Sequence, residues 1–271
     1  MSTRPRPVLQ YYGGKWKLAP WIVRWMPPHR VYCEAFGGAA SVLMTKPRSQ
    51  HEVLNDLDRE VVNVYAVLRD PGNSRLLAER LRLTPFARAE LMDCYTPHED
   101  PVEQARRTIT RSYLGWPARP RSGLRAETRR RGAITPTAWP SYPESVEQFT
   151  ARLSGVVIEC APALEVMRRY DGPDTLHYLD PPYLPETRSP DSPGYRHEMD
   201  HEAHRLLLLA ALDLQGLILL SGYRSDLYRE ILGEAGWSCE IRRAYACGRH
   251  ARTECLWRSP AAVEAHRKAA A

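Results

Sequence analysis

The sequence predicts an α/β fold, a parallel sheet covered by helices on both sides and interrupted by a helical, arginine-rich insert. Three observations carry this expectation. Short apolar runs alternate with helix-period segments from residue 31 to 69, and again after about residue 141. Residues 73 to 113 have helical patterns and no convincing strand. One stretch that overlaps the end of those helices carries more positive charge than the whole chain nets.

Taken in order, "VYCEAF" (31–36) reads as a short buried strand, "GGAASVLMTK" (37–46) as a turn entering a helix, and "EVLND" (52–56) as a second strand. In "REVVNVYAVLRD" the spacing puts Val61, Val62, Tyr65 and Leu68 on one helical face. Three helices follow: "NSRLLAERLRL", then "TPFARAELMDCY" with Thr84 at the cap and Pro85 behind it, then "PVEQARRTITRSYL". The Arg/Pro/Gly stretch to about residue 140 reads as loop. Alternation then resumes, with "SVEQFTARL" a helix, "VVIEC" a strand, "ALEVMRRY" a helix and "TLHYLD" a strand. "DHEAHRLLLLAALDL" is a helix, "LILLSG" a strand and "SDLYREILGEAG" a helix; "WSCEIRRAYA" and "TECLWRS" read as edge strands, and the alanine-rich tail as a frayed end. The expected organisation is a core of residues 1–70 and 141–271, with residues 71–140 inserted.

At 271 residues, 43% hydrophobic and 26% charged, the chain has the bulk for one large domain or a core with a smaller insert. No apolar run approaches the roughly 20 residues that cross a bilayer. The start, "MSTRPRPVLQYYGGK", lacks the apolar core of a secretory signal, so a cytoplasmic location is expected. None of the six cysteines forms a CxxC pair. Cys239, Cys247 and Cys255 are eight residues apart with His250 among them, but free thiols are the expectation and no metal is called for.

Residues 106–131 hold nine arginines and one acid, Glu127, a formal +8 against +6 for the whole chain. Every cation there is an arginine, and Tyr113 and Trp116 lie among them. Guanidinium groups fork onto phosphates and guanine edges while rings stack on bases, so nucleic-acid contact is favoured over a merely solvated loop. Arg119, Arg121, Arg125, Arg129, Arg130 and Arg131 are the candidate contacts. Pro117, Pro120 and Gly123 interrupt any amphipathic helix, which argues against a membrane surface.

Four short motifs stand at strand ends or turns. "YYGGKW" (11–16) combines two glycines with Lys15, which suits an anion site or a plain turn. It lacks the pattern of a nucleotide phosphate loop. "EAFGGAASVL" (34–43) follows the first strand, where glycines let a ligand approach a helix N-terminus, or simply make the turn. The second strand ends in "NDLD", where Asp56 could accept ribose hydroxyls, or where Asn55 or Asp58 could cap the next helix. "DPPY" (180–183) ends a central strand, and parallel sheets build their sites at that edge. The rigid diproline fixes the direction of the Asp180 carboxylate, a backbone carbonyl and the Tyr183 ring. Two acceptors beside a stacking ring suit a flat molecule bearing an amino group.

"YYGGK", "EAFGGAASV", "NDLD" and "LDPPY", in this order and with a helical insert before the last, resemble the Dam-like class of DNA N6-adenine methyltransferases. "PETRSPDSPGYRHEMDHEAHRLLL", "LILLSGYRSDLY" and "RTECLW" are similar to further segments of that family. The resemblance covers most of the chain, strongest over residues 8–69 and 175–258. It implies a Rossmann-like mixed-sheet methyltransferase core with residues 71–140 as a target-recognition domain. It implies S-adenosylmethionine as cofactor, S-adenosylhomocysteine as product, and double-stranded DNA as partner, read by a monomer without a membrane. By the same likeness Tyr11 and Lys15 would lie near the methionine part of the cofactor, with Lys15 on its carboxylate. Phe36 and Gly37 would line it, and Asp56 would hold its ribose. Asp180 and the Pro181 carbonyl, with Pro182 completing the turn, would accept from the 6-amino group of a flipped adenine while Tyr183 stacks on the ring. Two departures are Ala35, where the family usually has proline, and Ala39 or Ala40 in place of a glycine, which would crowd the cofactor. The same acceptor logic serves N4-cytosine methylation or an RNA amine, and an inactive DNA-binding relative is the rival from another class.

Overall fold

The computed structural model describes residues 7–116, 122–125, 139–188, 194–245 and 251–270. In chain order its elements are α1 (Ala19–Val23), β1 (Val31–Glu34), α2 (Ser41–Thr45), β2 (His51–Asn55), α3 (Arg59–Arg69), α4 (Pro71–Arg82), α5 (Arg88–Asp93) and α6 (Pro101–Leu114). Then come α7 (Val146–Leu153), β3 (Val157–Glu159), α8 (Ala163–Arg169), β4 (Thr175–Leu179), α9 (His201–Leu212) and β5 (Leu217–Gly222). α10 (Asp226–Tyr228) runs into a π-helical turn at Arg229–Gly233, and β6 (Ser238–Tyr245), β7 (Ala251–Arg258) and α11 (Pro260–Ala270) follow.

The strands form a seven-stranded sheet in the order β3-β2-β1-β4-β5-β7-β6. β1 to β5 pair in parallel, while β7 runs antiparallel to both β5 and β6. This mixed sheet with helices is the expected Rossmann-like methyltransferase core. Only β6 of the last two strands is an edge. β7, expected at the rim, lies inside the sheet, because its Cys255–Trp257 stretch is apolar on both faces and the strand is buried from Cys255 to Arg258. β4 and β5 are buried throughout, as central strands covered on both sides must be. Leu217 and Leu219 of β5 point into one core, and Ile218 and Leu220 into the other, as the two-residue period requires.

Most helix starts are legible in single residues. Asp58, Asp70, Asp100 and Asp200 cap α3, α4, α6 and α9 by accepting backbone N–H groups one turn in, each cap contributing about 1 kcal/mol. Pro71 and Pro101 take the first helical position, where a missing N–H costs nothing. Thr84 is not the cap of α5. That helix starts only at Arg88, and the Thr84 hydroxyl instead donates to the Arg80 carbonyl. On α3 the buried face is Val61, Val64, Tyr65, Val67 and Leu68, with Val62 only half-buried at its margin. The alanine-rich tail is not frayed but forms α11, docked through buried Ala262 and a bond between His266 and the Arg24 carbonyl.

α4 to α6 share one hydrophobic core with α3, α7 and the first residues of the chain, through Leu77, Leu81, Leu91, Ile109 and Tyr113 among others. Polar bonds reinforce that union. Tyr142 donates to the Val8 carbonyl, Tyr113 to that of Pro7, and Arg111 pairs with Glu60. Among the described residues no helix is long and apolar enough to cross a membrane.

Candidate active site

The parallel strands align their C-terminal ends on one edge, and β1 lies between β2 and β4, so the connections leaving β1 and β4 diverge there. Such a switch point opens a crevice outside the sheet. A cavity of about 880 Å³, open to solvent at its mouth, occupies this position. Its walls come from four separated stretches, Tyr11–Lys15, Glu34–Ala39, Asn55–Leu57 and Tyr178–Pro182, together with Tyr195–Met199.

The loop after β1 is drawn tightly against β2. Gly37 N donates to the Asn55 carbonyl at 2.7 Å, and a Cβ on Gly37 would stand only 2.9 Å from both that oxygen and Leu54 Cδ1. Gly38 has φ +46° and donates its N–H to Asp56 at 2.7 Å, while the other Asp56 oxygen accepts from Asp58 N at 2.8 Å. Asp56 is thus fixed by backbone donors at the cavity wall, its proton affinity raised by burial and held back by those bonds. Asp58 caps α3, as one of the two sequence alternatives had it, and Asn55 ties the Ala35 and Ala161 backbones together. Ser41 Oγ, buried at the start of α2 beside the cavity, has no hydrogen-bond partner among the described residues.

The departures from the family pattern fall in different places. Ala35 and Ala39 line the cavity; Ala40 does not, and is fully buried. Ala40 holds φ 49°, ψ 31°, a left-handed conformation costing an alanine about 1–2 kcal/mol, where a glycine would sit freely.

Asp180 emerges from the end of β4 into the cavity. Lys15, 5% exposed, has its Nζ 2.8 Å from Asp180 Oδ1 and donates to the Gly13 carbonyl at 2.8 Å. Burial pushes the Asp180 carboxyl up, and the Lys15 ammonium works against it. The same Nζ stands 4.6 Å from the centre of the Tyr183 ring. Tyr183 is buried, donates its hydroxyl to Glu254 of β7 at 2.9 Å, and meets Tyr223 edge-on at 4.6 Å. Among the described residues no donor is seated on the Pro181 carbonyl.

Tyr11, Lys15, Phe36, Gly37, Asp56, Asp180 and Pro182 therefore meet in one cavity, with Tyr183 directly behind it. Several neighbours went unnoticed in the sequence. Glu34 accepts from Tyr32 and from Leu43 N, and burial pushes its carboxyl up to about 8. An acid closing an apolar strand was the available signal. Tyr195 reaches Gly13, where a Cβ would lie 2.5 Å from its hydroxyl oxygen, and Arg196 pairs with Asp58 and Glu60 at the start of α3.

The arginine stretch divides. Arg106 pairs with Glu90 and Glu103, Arg107 with Glu103 and Arg111 with Glu60, so these three bind the helices to one another. Tyr113 is buried in the core. Trp116 is 42% exposed, and the Arg125 guanidinium stands 5.7 Å from its ring. Arg125 N bonds to the Leu114 carbonyl, closing the base of the segment between them. Arg119, Arg121, Arg129, Arg130 and Arg131 lie outside the described residues, as does Cys247. The thiols of Cys33, Cys94, Cys160, Cys239 and Cys255 are free.

Residues 11–235 match the family described as D12 class N6 adenine-specific DNA methyltransferase. The chain is similar to the DNA adenine methylase of Escherichia coli (strain K12), 23% identical over 235 residues and covering 83% of each chain. The DNA adenine methylase of Salmonella typhi matches to the same extent. That of Vibrio cholerae serotype O1 is 24% identical over 201 residues, 71% of this chain and 70% of the relative.

Proposed function

The chain belongs to the D12 class of N6 adenine-specific DNA methyltransferases, and from that premise we propose how its residues carry a methyl group from S-adenosylmethionine to a flipped adenine of double-stranded DNA. The cavity suits that cofactor. The Gly37–Gly38 loop leaves space that a Cβ would fill, Asp56 offers a fixed acceptor for ribose hydroxyls, and Ser41 Oγ is a buried hydroxyl in need of a partner. Tyr11, Phe36 and Gly37 would line it. When bound, the cofactor supplies a methyl carbon already activated by its positive sulfur, so no metal is required.

The adenine 6-amino nitrogen is a poor nucleophile because its lone pair is delocalised into the ring. The Asp180 carboxylate and the Pro181 carbonyl each accept one of its two N–H groups, which favours a tetrahedral nitrogen and aims the lone pair. Lys15 keeps Asp180 ionised and therefore an acceptor. One N–H proton must leave as the N–C bond forms and the carbon–sulfur bond breaks to release S-adenosylhomocysteine, and Asp180, whose proton affinity is raised by burial, would be the group placed to receive it. Tyr183, its hydroxyl held by Glu254, is the platform for the base, and Tyr223 would yield to admit it. Extrusion of the base costs a few kcal/mol, and stacking returns roughly 1–3 kcal/mol of that.

Residues 71–140 are proposed as the target-recognition region. DNA contact would centre on the arginine-rich segment that follows Trp116, with Arg119, Arg121, Arg125, Arg129, Arg130 and Arg131 on phosphates or bases. An asymmetric reader of this kind can act as a monomer.

The observation that carries the reading is the ion pair of Lys15 and Asp180 inside a cavity at the end of β4. The test is nucleoside analysis of unmethylated genomic DNA after incubation with the protein and S-adenosylmethionine. N6-methyladenine is expected with the native chain and not with Asp180→Ala, which should still bind DNA. A fully active Asp180→Ala protein would remove Asp180 from the mechanism, and N4-methylcytosine would change the substrate.

A further inference from the structure

Two consecutive prolines leave the turn after β4 without N–H groups at Pro181 and Pro182. Backbone donors of the turn's own therefore cannot orient it, and its geometry depends on what donates to its carbonyls. One such donor comes from another element. His204 of α9 is 0% exposed, with Nε2 2.8 Å from the Pro182 carbonyl oxygen and Nδ1 2.9 Å from the Tyr228 hydroxyl.

These two partners fix the ring's tautomer. A carbonyl only accepts, so Nε2 must carry the proton. Nδ1 is then a lone pair, and the phenol must donate to it. Burial lowers the proton affinity of the imidazole and keeps it neutral. Tyr228 is itself buried and tightly enclosed. A Cβ on Gly222, at the end of β5, would lie 3.2 Å from its ring, and Ser225 accepts from its N–H.

We propose that His204, ordered by Tyr228, is the positioning residue of the Asp180–Tyr183 turn. Its Nε2–H holds the peptide between Pro182 and Tyr183 in one plane. That plane sets where the Pro181 carbonyl faces and the direction in which the Tyr183 ring leaves the turn. This inference rests on the reading of Asp180 and the Pro181 carbonyl as acceptors, which the Asp180→Ala comparison checks separately. A buried histidine that only filled space would make no distinction between its two nitrogens.

The test makes that distinction. In His204→Gln the side-chain amide nitrogen reaches the Nε2 position and can still donate to Pro182, but the bond to Tyr228 is lost. In His204→Asn the amide ends near the Nδ1 position, so Tyr228 is still met and Pro182 is not. Single-turnover methyl transfer with saturating DNA and S-adenosylmethionine should fall about 100-fold in His204→Asn, the scale set by misplacing a reacting group by an ångström, but by less than about tenfold in His204→Gln. Dissociation constants for cofactor and DNA should stay near the native values in both. Equal losses in the two variants, or rates that simply follow their melting temperatures, would overturn the proposal. Should neither variant fold, ¹⁵N–¹H correlation spectra of the native protein decide. The Nε2–H tautomer of His204 is expected, and the Nδ1–H tautomer would sink the idea.

Discussion

Lys15→Met takes the cation from a buried ion pair while keeping a side chain of similar length. At 2.8 Å and an effective dielectric of about 20, the attraction removed is about 6 kcal/mol. Asp180 then either stays charged and unpaired or takes up a proton. Protonating an ordinary aspartic acid at pH 7.5 costs about 5 kcal/mol, and burial already raises the proton affinity of Asp180, so the proton wins. A protonated Asp180 presents an O–H where an acceptor is needed. The single-turnover rate at pH 7.5, measured with saturating cofactor, should therefore fall by about 100-fold or more, and recover about tenfold per pH unit as the solution is made more basic. Stability should show the matching sign. A carboxyl whose folded-state proton affinity is raised favours the folded chain below the unfolded carboxylate range, and that contribution is lost as pH rises through its folded pKa. Lys15→Met should thus melt closest to the native protein at about pH 4 and fall progressively behind it as pH rises. A pH–rate profile superimposable on the native one, or a loss of rate independent of pH, would refute the assignment of Lys15 as the group that keeps Asp180 ionised.

Two further outcomes are expected. Gly37→Ala forces a Cβ to within 2.9 Å of the Asn55 carbonyl oxygen and Leu54 Cδ1, so it should lower unfolding free energy by about 1–3 kcal/mol in denaturant titration; calorimetry should show weakened cofactor binding as well. Replacing Arg129, Arg130 and Arg131 together by alanine should weaken DNA binding and reduce the slope of log K against log salt by about 3, and an unchanged slope in a filter-binding titration would show that these residues touch no phosphate.

What the sequence made legible was local. The seven strands of the described residues lie where alternation and apolar runs put them, most plainly β4 and β5, because fully buried strands announce themselves by composition over a few residues. Asp180, Tyr183 and Asp56 stood out in the sequence because an acid or a ring at a strand end is locally anomalous. The pairing of Lys15 with Asp180 and the bond from the Tyr183 hydroxyl to Glu254 join residues far apart in the chain, and no period or spacing encodes such contacts. His204 was invisible for the related reason that it sits among the polar residues His201, Glu202 and Arg205 that open α9, where a histidine looks like one more surface group until its two nitrogens are given partners. The arginines misled in part, since composition cannot separate cations facing a ligand from those, such as Arg106, consumed by acids on neighbouring helices.

The bond between Tyr183 and Glu254 also bears on when activity can begin during synthesis. Lys15 is made early, Asp180 two-thirds of the way along, and Glu254 near the end, on a strand that lies between β5 and β6. While β7 is still unmade, β5 has an open side and the Tyr183 hydroxyl has no acceptor, although the helices carrying Arg106 to Arg111 are already complete. A nascent or prematurely ended chain would accordingly have its basic helices well before it had a finished catalytic turn. On the proposed role of Tyr183, methylation would be tied to the arrival of β7, and a copy that stops short of that strand would leave DNA unmarked.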